Sequence, residues 1–127
     1  MMLFMNYLDS RWDVLLILCL YGESPSTLSR MVDIAIPRSG VGGIDIAGGP
    51  LPSHRYTLLD YRDSFLRAKK HGIGRTVHAG EGRPPKEIAQ AILELHAQRI
   101  GHGTTLLQDP SVVALVRERG VCIEACV

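Results

Sequence analysis

The sequence lacks a long hydrophobic run: its longest, Val14 to Tyr21, is far short of a bilayer span. Asp13 stands directly before that run and no A-x-A site follows it, so it does not read as a signal peptide. No membrane partner is expected. Charge of one sign is also missing, since 14 Lys and Arg stand against 13 Asp and Glu for a net charge of +1. Without a basic field, nucleic acid is not an expected partner. Cysteines are few: Cys19, Cys122 and Cys126 are odd in number and carry no C-x-x-C spacing, which points to reduced thiols and a cytoplasmic location. No low-complexity tract or Ser-rich linker breaks the chain, and 46% apolar against 21% charged residues is far from the composition of a disordered protein. What is present, 127 residues, is enough for one domain with one hydrophobic core.

Apolar periodicity alternates along the chain between two types. Val14 to Leu20 is a continuous run, as expected of a strand buried on both faces. Ser24 and Pro25 then read as N-cap and first helical residue, ahead of Leu28, Met31, Val32 and Ala35 at i, i+3, i+4 and i+7. Val41 to Ala47 is a second strand. Leu58, Tyr61, Phe65 and Ala68 form one helical stripe, which ends in Lys69, Lys70 and His71 with Gly72 as its cap. Arg75 to His78 is a third strand, and Pro84 and Pro85 open a helix that turns Ile88, Ala91, Ile92 and Leu95 inward. Arg99 to Gly101 is the fourth strand, Asp109 and Pro110 start a helix carrying Val112, Leu115 and Val116, and Val121 to Ala125 is the fifth strand. Strands alternating with helices predict an α/β fold with a parallel sheet. In such folds the loops after strand C-termini build the site.

Two histidines fall at those strand ends, His78 in T-V-H-A-G-E and His102 in R-I-G-H-G. Gly80 lets the chain turn so that Glu81 swings back toward the same mouth, which brings an imidazole and a carboxylate together. This pair suits a metal ligand beside a general acid/base; the plainer alternative is a buried structural histidine and a glutamate at a helix N-terminus. Glycines on both sides of His102 permit close approach of backbone to a ligand. His54, His71 and His96 read as surface or capping residues. In G-I-D-I-A-G, Ile44 and Ile46 share one strand face and Asp45 the other, while Gly48 can present a bare N–H to a ligand. No lysine follows as a phosphate-binding loop requires. Glu124, in C-I-E-A-C, and Asp45 are candidates to orient a rim histidine from behind; an isolated paired carboxylate is the alternative for Glu124.

In order along the chain, L-L-I-L-C, V-G-G-I-D-I-A-G, T-V-H-A-G-E, R-I-G-H-G and I-E-A-C resemble the zinc-dependent adenosine deaminase family, from about Leu16 to Cys126. The resemblance implies a partial (β/α)8 TIM-type barrel, its five strands corresponding to the third through seventh. It implies one Zn2+ per complete site and a purine nucleoside as substrate. By resemblance His78 is a zinc ligand, Glu81 protonates the purine ring, His102 orients or deprotonates the attacking water, and Gly48 donates its N–H to the purine. The family also uses an H-x-H pair and a D-D segment; this sequence contains neither, has Gly49 where the family carries an acidic residue, and has Val127 where it carries proline. A whole barrel of this type takes roughly 250 residues. Residues 1–127 are therefore expected to be a partial deaminase domain, inactive alone, that lacks the first strands and the last and can self-associate through its open edge strands. A degenerate, non-catalytic barrel portion and a related aminopurine deaminase, acting on adenine or N6-methyl-AMP, are the competing readings.

Overall fold

The computed structural model of the chain describes residues 14–22, 24–48 and 55–125. Strands β1 (Leu16–Tyr21), β2 (Val41–Ala47), β3 (Gly74–Ala79), β4 (Arg99–His102) and β5 (Cys122–Glu124) alternate with helices α1 (Pro25–Ala35), α2 (Arg62–Lys70), α3 (Lys86–Glu94) and α4 (Pro110–Arg119). All neighbouring strands pair in parallel and their spatial order equals their chain order. With right-handed crossovers that order puts every helix on one face of the sheet, which is the winding of a barrel wall rather than of a doubly wound sheet.

The helices form where local chemistry favours them. Pro25 sits at the first position of α1, where its missing N–H costs nothing, and Leu28, Val32 and Ala35 are buried one turn apart. Asp109 caps α4 by accepting from Ser111 N at 2.9 Å, and Gly120 ends that helix in the left-handed conformation. Basic residues Arg67, Lys69 and Lys70 close α2 against its negative end, before the His71 cap and Gly72. Between helices and sheet, Leu28, Phe65, Ile88 and Leu95 pack fully buried against Ile44, Val77 and Ile100.

Three sequence expectations are corrected. The first strand is Leu16–Tyr21 rather than Val14 to Leu20, and it is not buried on both faces: Leu16 and Ile17 are 38% and 48% exposed. Among the described residues it pairs with β2 alone, so its outer side is uncovered there. The stripe from Leu58 to Ala68 divides into a 3₁₀ turn, Leu58–Tyr61, and α2, because Thr57 and Asp60 form a capping box that closes a tight turn first. Pro84 and Pro85 precede α3 rather than opening it, with Pro85 as the cap residue. Ser24 is the N-cap of α1, as expected, although its hydroxyl makes no capping hydrogen bond and lies 2.7 Å from that of Ser26.

Candidate active site

The parallel register places the candidate side chains on neighbouring strand ends. His78 stands opposite Gly101, Ala79 opposite His102, and on the other side Cys19 stands opposite Asp45. The bare backbone at Gly101 makes room for His78: a Cβ there would come within 2.7 Å of the imidazole. His78 and His102 rings meet edge to face, with centroids 5.3 Å apart. His102 Nε2 lies 3.8 Å from Glu81 Oε2. One strand end, its loop and the next strand end thus converge on a single rim.

Behind the rim, Asp45 is 7% exposed and fixes the His78 ring. His78 Nδ1 lies 3.1 Å from Asp45 Oδ1; with the proton on that nitrogen it donates to the carboxylate, and Nε2 carries the ring's lone pair. The hydrogen bond to Asp45 holds the His78 pKa above its ordinary value, burial opposes it, and the negative charges of Asp45 and Glu124 add to the rise. Cys19 donates its S–H to Asp45 Oδ2 at 3.4 Å. Burial, and then the adjacent Asp45 carboxylate, push that thiol up to about 12, so it remains a donor. Glu124 accepts from Arg99 Nε across the β4–β5 pair.

Gly48 follows β2 with φ +68°, and a side chain there would run into the Tyr21 ring at 2.6 Å. It lines a pocket of about 410 Å³ with His78, Tyr56, Tyr61, Arg83 and Glu87. Glu81 is exposed, with 57% of its side chain open to solvent, so the described residues shield it little. His102 adopts φ +64°, a left-handed conformation that costs a non-glycine residue energy and recurs at functional positions. His71 caps α2 and His96 lies just beyond α3, where its carbonyl accepts from Arg75 Nε at 2.8 Å. His54, Gly49, Cys126 and Val127 lie outside the described residues.

Several residues that hold this rim carry little mark in the sequence. The Gly80 N–H donates to Glu87 Oε2 at 2.9 Å, and the Gly80 carbonyl accepts from Thr104 Oγ1 at 2.8 Å. Thr105 Oγ1 donates to the Arg83 carbonyl at 2.6 Å. The Thr-Thr pair directly after G-H-G was the available signal; for Glu87, in the first turn of a helix, there was none.

As a metal site the arrangement is one donor deep. An imidazole oriented by a buried carboxylate, with its second nitrogen open, is the usual form of a metal-bound histidine. Yet among the described residues no three His, Cys, Asp or Glu side chains gather to hold an ion. His78 fits one ligand position and the described residues do not complete the set, which takes about three protein donors.

A singly wound parallel sheet with helices on one face and histidines and a glutamate on its carboxyl rim is built like a portion of a β/α-barrel wall. The adenosine deaminase family model matches residues 11–127, and the chain belongs to that family of hydrolytic deaminases. It is 38% identical over 106 residues to the adenosine deaminase of Serratia proteamaculans, a match covering 84% of this chain and 31% of that protein. Among solved structures, the adenine deaminase of Arthrobacter aurescens aligns with a TM-score of 0.75 at 25% identity, over 88% of this chain and 34% of that one. The N6-methyl-AMP deaminase of Arabidopsis thaliana aligns at 0.74 and 28% identity, over 89% and 33%. An amidohydrolase of Burkholderia ambifaria with bound Zn aligns at 0.75 and 26% identity, over 87% and 31%. The chain spans about a third of the length of the relatives it matches. Its fold is accordingly a partial (β/α)8 barrel, with five parallel strands and four α-helices among the described residues. No helix among the described residues is long and apolar enough to cross a membrane.

Proposed function

We propose that residues 1–127 form the central portion of a longer adenosine deaminase barrel, and that this portion supplies one zinc ligand, the proton donor and the water-orienting histidine of its site. The overall reaction converts adenosine or 2′-deoxyadenosine and water to inosine or 2′-deoxyinosine and ammonia. The observation that carries the reading is the convergence of His78, His102 and Glu81 on adjacent strand ends, with Asp45 behind His78.

Each residue has a distinct task. The His78 Nε2 lone pair, aimed by Asp45, is the ligand this chain offers; a divalent ion, when bound, supplies an acidified water. Glu81, in its neutral form, gives a proton to the purine ring nitrogen beside C6, which draws electron density from that carbon and opens it to attack. His102 orients the attacking water, takes its proton and returns it to the amino nitrogen; as the C6–N bond breaks and C6=O forms, the hydroxyl proton goes back to Glu81 and ammonia leaves. Gly48 offers its N–H to the purine from the pocket wall, and its left-handed backbone against Tyr21 admits no larger residue. Glu124, through Arg99 and its charge on His78, supports the rim from the far strand. Free thiols at Cys19 and Cys122 support a reducing, cytoplasmic setting.

A second reading, a deaminase of free adenine or N6-methyl-AMP, is favoured by the likeness to the Arthrobacter and Arabidopsis enzymes. The experiment is product formation from adenosine, adenine and N6-methyl-AMP, by this chain alone and by a chimera in which it replaces the matching third of the Serratia relative. The expected result is inosine from the chimera with zinc supplied and none from the chain alone. A folded chimera that turns over adenine or N6-methyl-AMP better would select the second reading. A folded, zinc-loaded chimera inert on all three would leave a non-catalytic barrel portion.

A further inference from the structure

The loop from Gly80 to Arg83 carries Glu81, and its backbone is held by side chains from two other segments. The Gly80 N–H donates to Glu87 Oε2 at 2.9 Å, and Glu87, 7% exposed, also pairs with Arg83 one turn earlier. On the other side of the same residue, the Gly80 carbonyl accepts from Thr104 Oγ1 at 2.8 Å and Thr105 N at 3.2 Å, with Thr105 Oγ1 also 3.2 Å away. Thr104 Oγ1 in turn accepts from Gly82 N at 3.2 Å, and Thr105 Oγ1 donates to the Arg83 carbonyl at 2.6 Å. Gly80 reaches these partners because its φ of +68° turns its peptide groups sideways, and a Cβ there would come within 2.6 Å of Ile88 Cδ1 and 3.0 Å of Thr105 Oγ1. The threonines stand two and three residues after His102, so whatever holds the Glu81 loop also holds the backbone of His102.

We infer that Thr105, with Thr104 and Glu87, is a positioning residue: the two hydroxyls lock the loop after β3 to the loop after β4 and so set the separation between Glu81 and His102. A single loop hydrogen bond could be replaced by water, but Thr105 is 7% exposed, and losing its hydroxyl removes the 2.6 Å tie from the loop after β4 to the Arg83 carbonyl in the loop after β3. Holding a proton donor and a water-orienting group at fixed spacing is worth more than either alone, since small misplacements of reacting groups cost large factors in rate. The inference rests on the reading of Glu81 as the proton donor, while the lock itself can be measured without turnover.

The test is residue-resolved amide hydrogen exchange and nuclear Overhauser contacts between the Glu81 and His102 side chains, in the chimera and its Thr105→Val and Thr105→Ser variants. Thr105→Val should raise exchange at Gly80, Gly82 and Gly103 by about five- to tenfold, the size of one lost buried hydrogen bond, with strand β3 unaltered. The Glu81 to His102 contact should weaken, and Thr105→Ser should restore both. If Thr105→Val unfolds the chain, which strand exchange would reveal, Thr104→Val and Thr104→Ser at the exposed neighbouring hydroxyl make the same comparison. Unchanged exchange and contact in the Val variants would overturn the lock. In the chimera the lock predicts a fall in kcat with KM little moved for Thr105→Val, rescued by Ser. If exchange responds but neither Glu81→Gln nor Thr105→Val alters kcat, the lock stands and the proton-donor reading fails. If Glu81→Gln removes turnover while Thr105→Val changes neither exchange nor kcat, the positioning role fails alone.

Discussion

The orientation of His78 depends on a charge it does not carry itself. Its Nδ1 faces Asp45 at 3.1 Å, and that hydrogen bond is the largest influence raising its affinity for a proton. A histidine whose folded pKa exceeds its unfolded value stabilises the fold fully below the unfolded value, and that contribution is lost as pH rises through the folded one. In metal-free protein, stability attributable to this pair should therefore be complete at pH below the ordinary 6.5 and decline above it. Asp45→Asn should flatten that decline and lower the His78 titration, as followed by Tm against pH and by the imidazole NMR signals. A stability profile identical in wild type and Asp45→Asn would show that the contact does not govern the ring. His78, Glu81 and His102 were legible in the sequence because glycines mark their strand ends. Cys19 was not, since a thiol in an apolar run carries no sign that the parallel register sets it opposite Asp45.

At the scale of elements, the site depends on how closely β3 and β4 approach. Gly101 is the point of contact, since the His78 ring occupies the space where a side chain would be. Gly101→Ala should destabilise by about 1–3 kcal/mol, the usual cost of overpacking a tight site, and should disturb the His78 to Asp45 hydrogen bond. Gly40→Ala, where nothing lies within 4 Å, serves as the control and should stay within about 0.5 kcal/mol of wild type. Urea unfolding of the two variants makes the comparison; equal midpoints would mean that Gly101 does not fix the rim. Element order and type were readable from periodicity and from Pro25, Asp109 and Gly120, whose roles at helix ends are local. Their limits were less so. The Thr57 to Asp60 capping box splits an even apolar stripe into two helices, and the exposure of β1 follows from its place at the sheet's edge, which no local pattern encodes.

For the whole molecule, the decisive feature is a parallel sheet whose first and last described strands each pair on one side. Leu16 and Ile17 lie on one of these edges, and an apolar strand edge is a template for pairing with another chain. The isolated chain should self-associate through these edges, with a sedimentation coefficient that rises with concentration. A monomer at every concentration, melting cooperatively, would indicate a self-sufficient domain. The account as a whole is tested most directly by Glu81→Gln in the chimera, with zinc content read by mass spectrometry beside inosine formation from adenosine. Loss of the proton donor should leave zinc bound and cut kcat by about 10² to 10⁴-fold, the usual contribution of a general acid/base. A Glu81→Gln chimera that keeps its zinc and turns adenosine over at nearly the wild-type rate would contradict it.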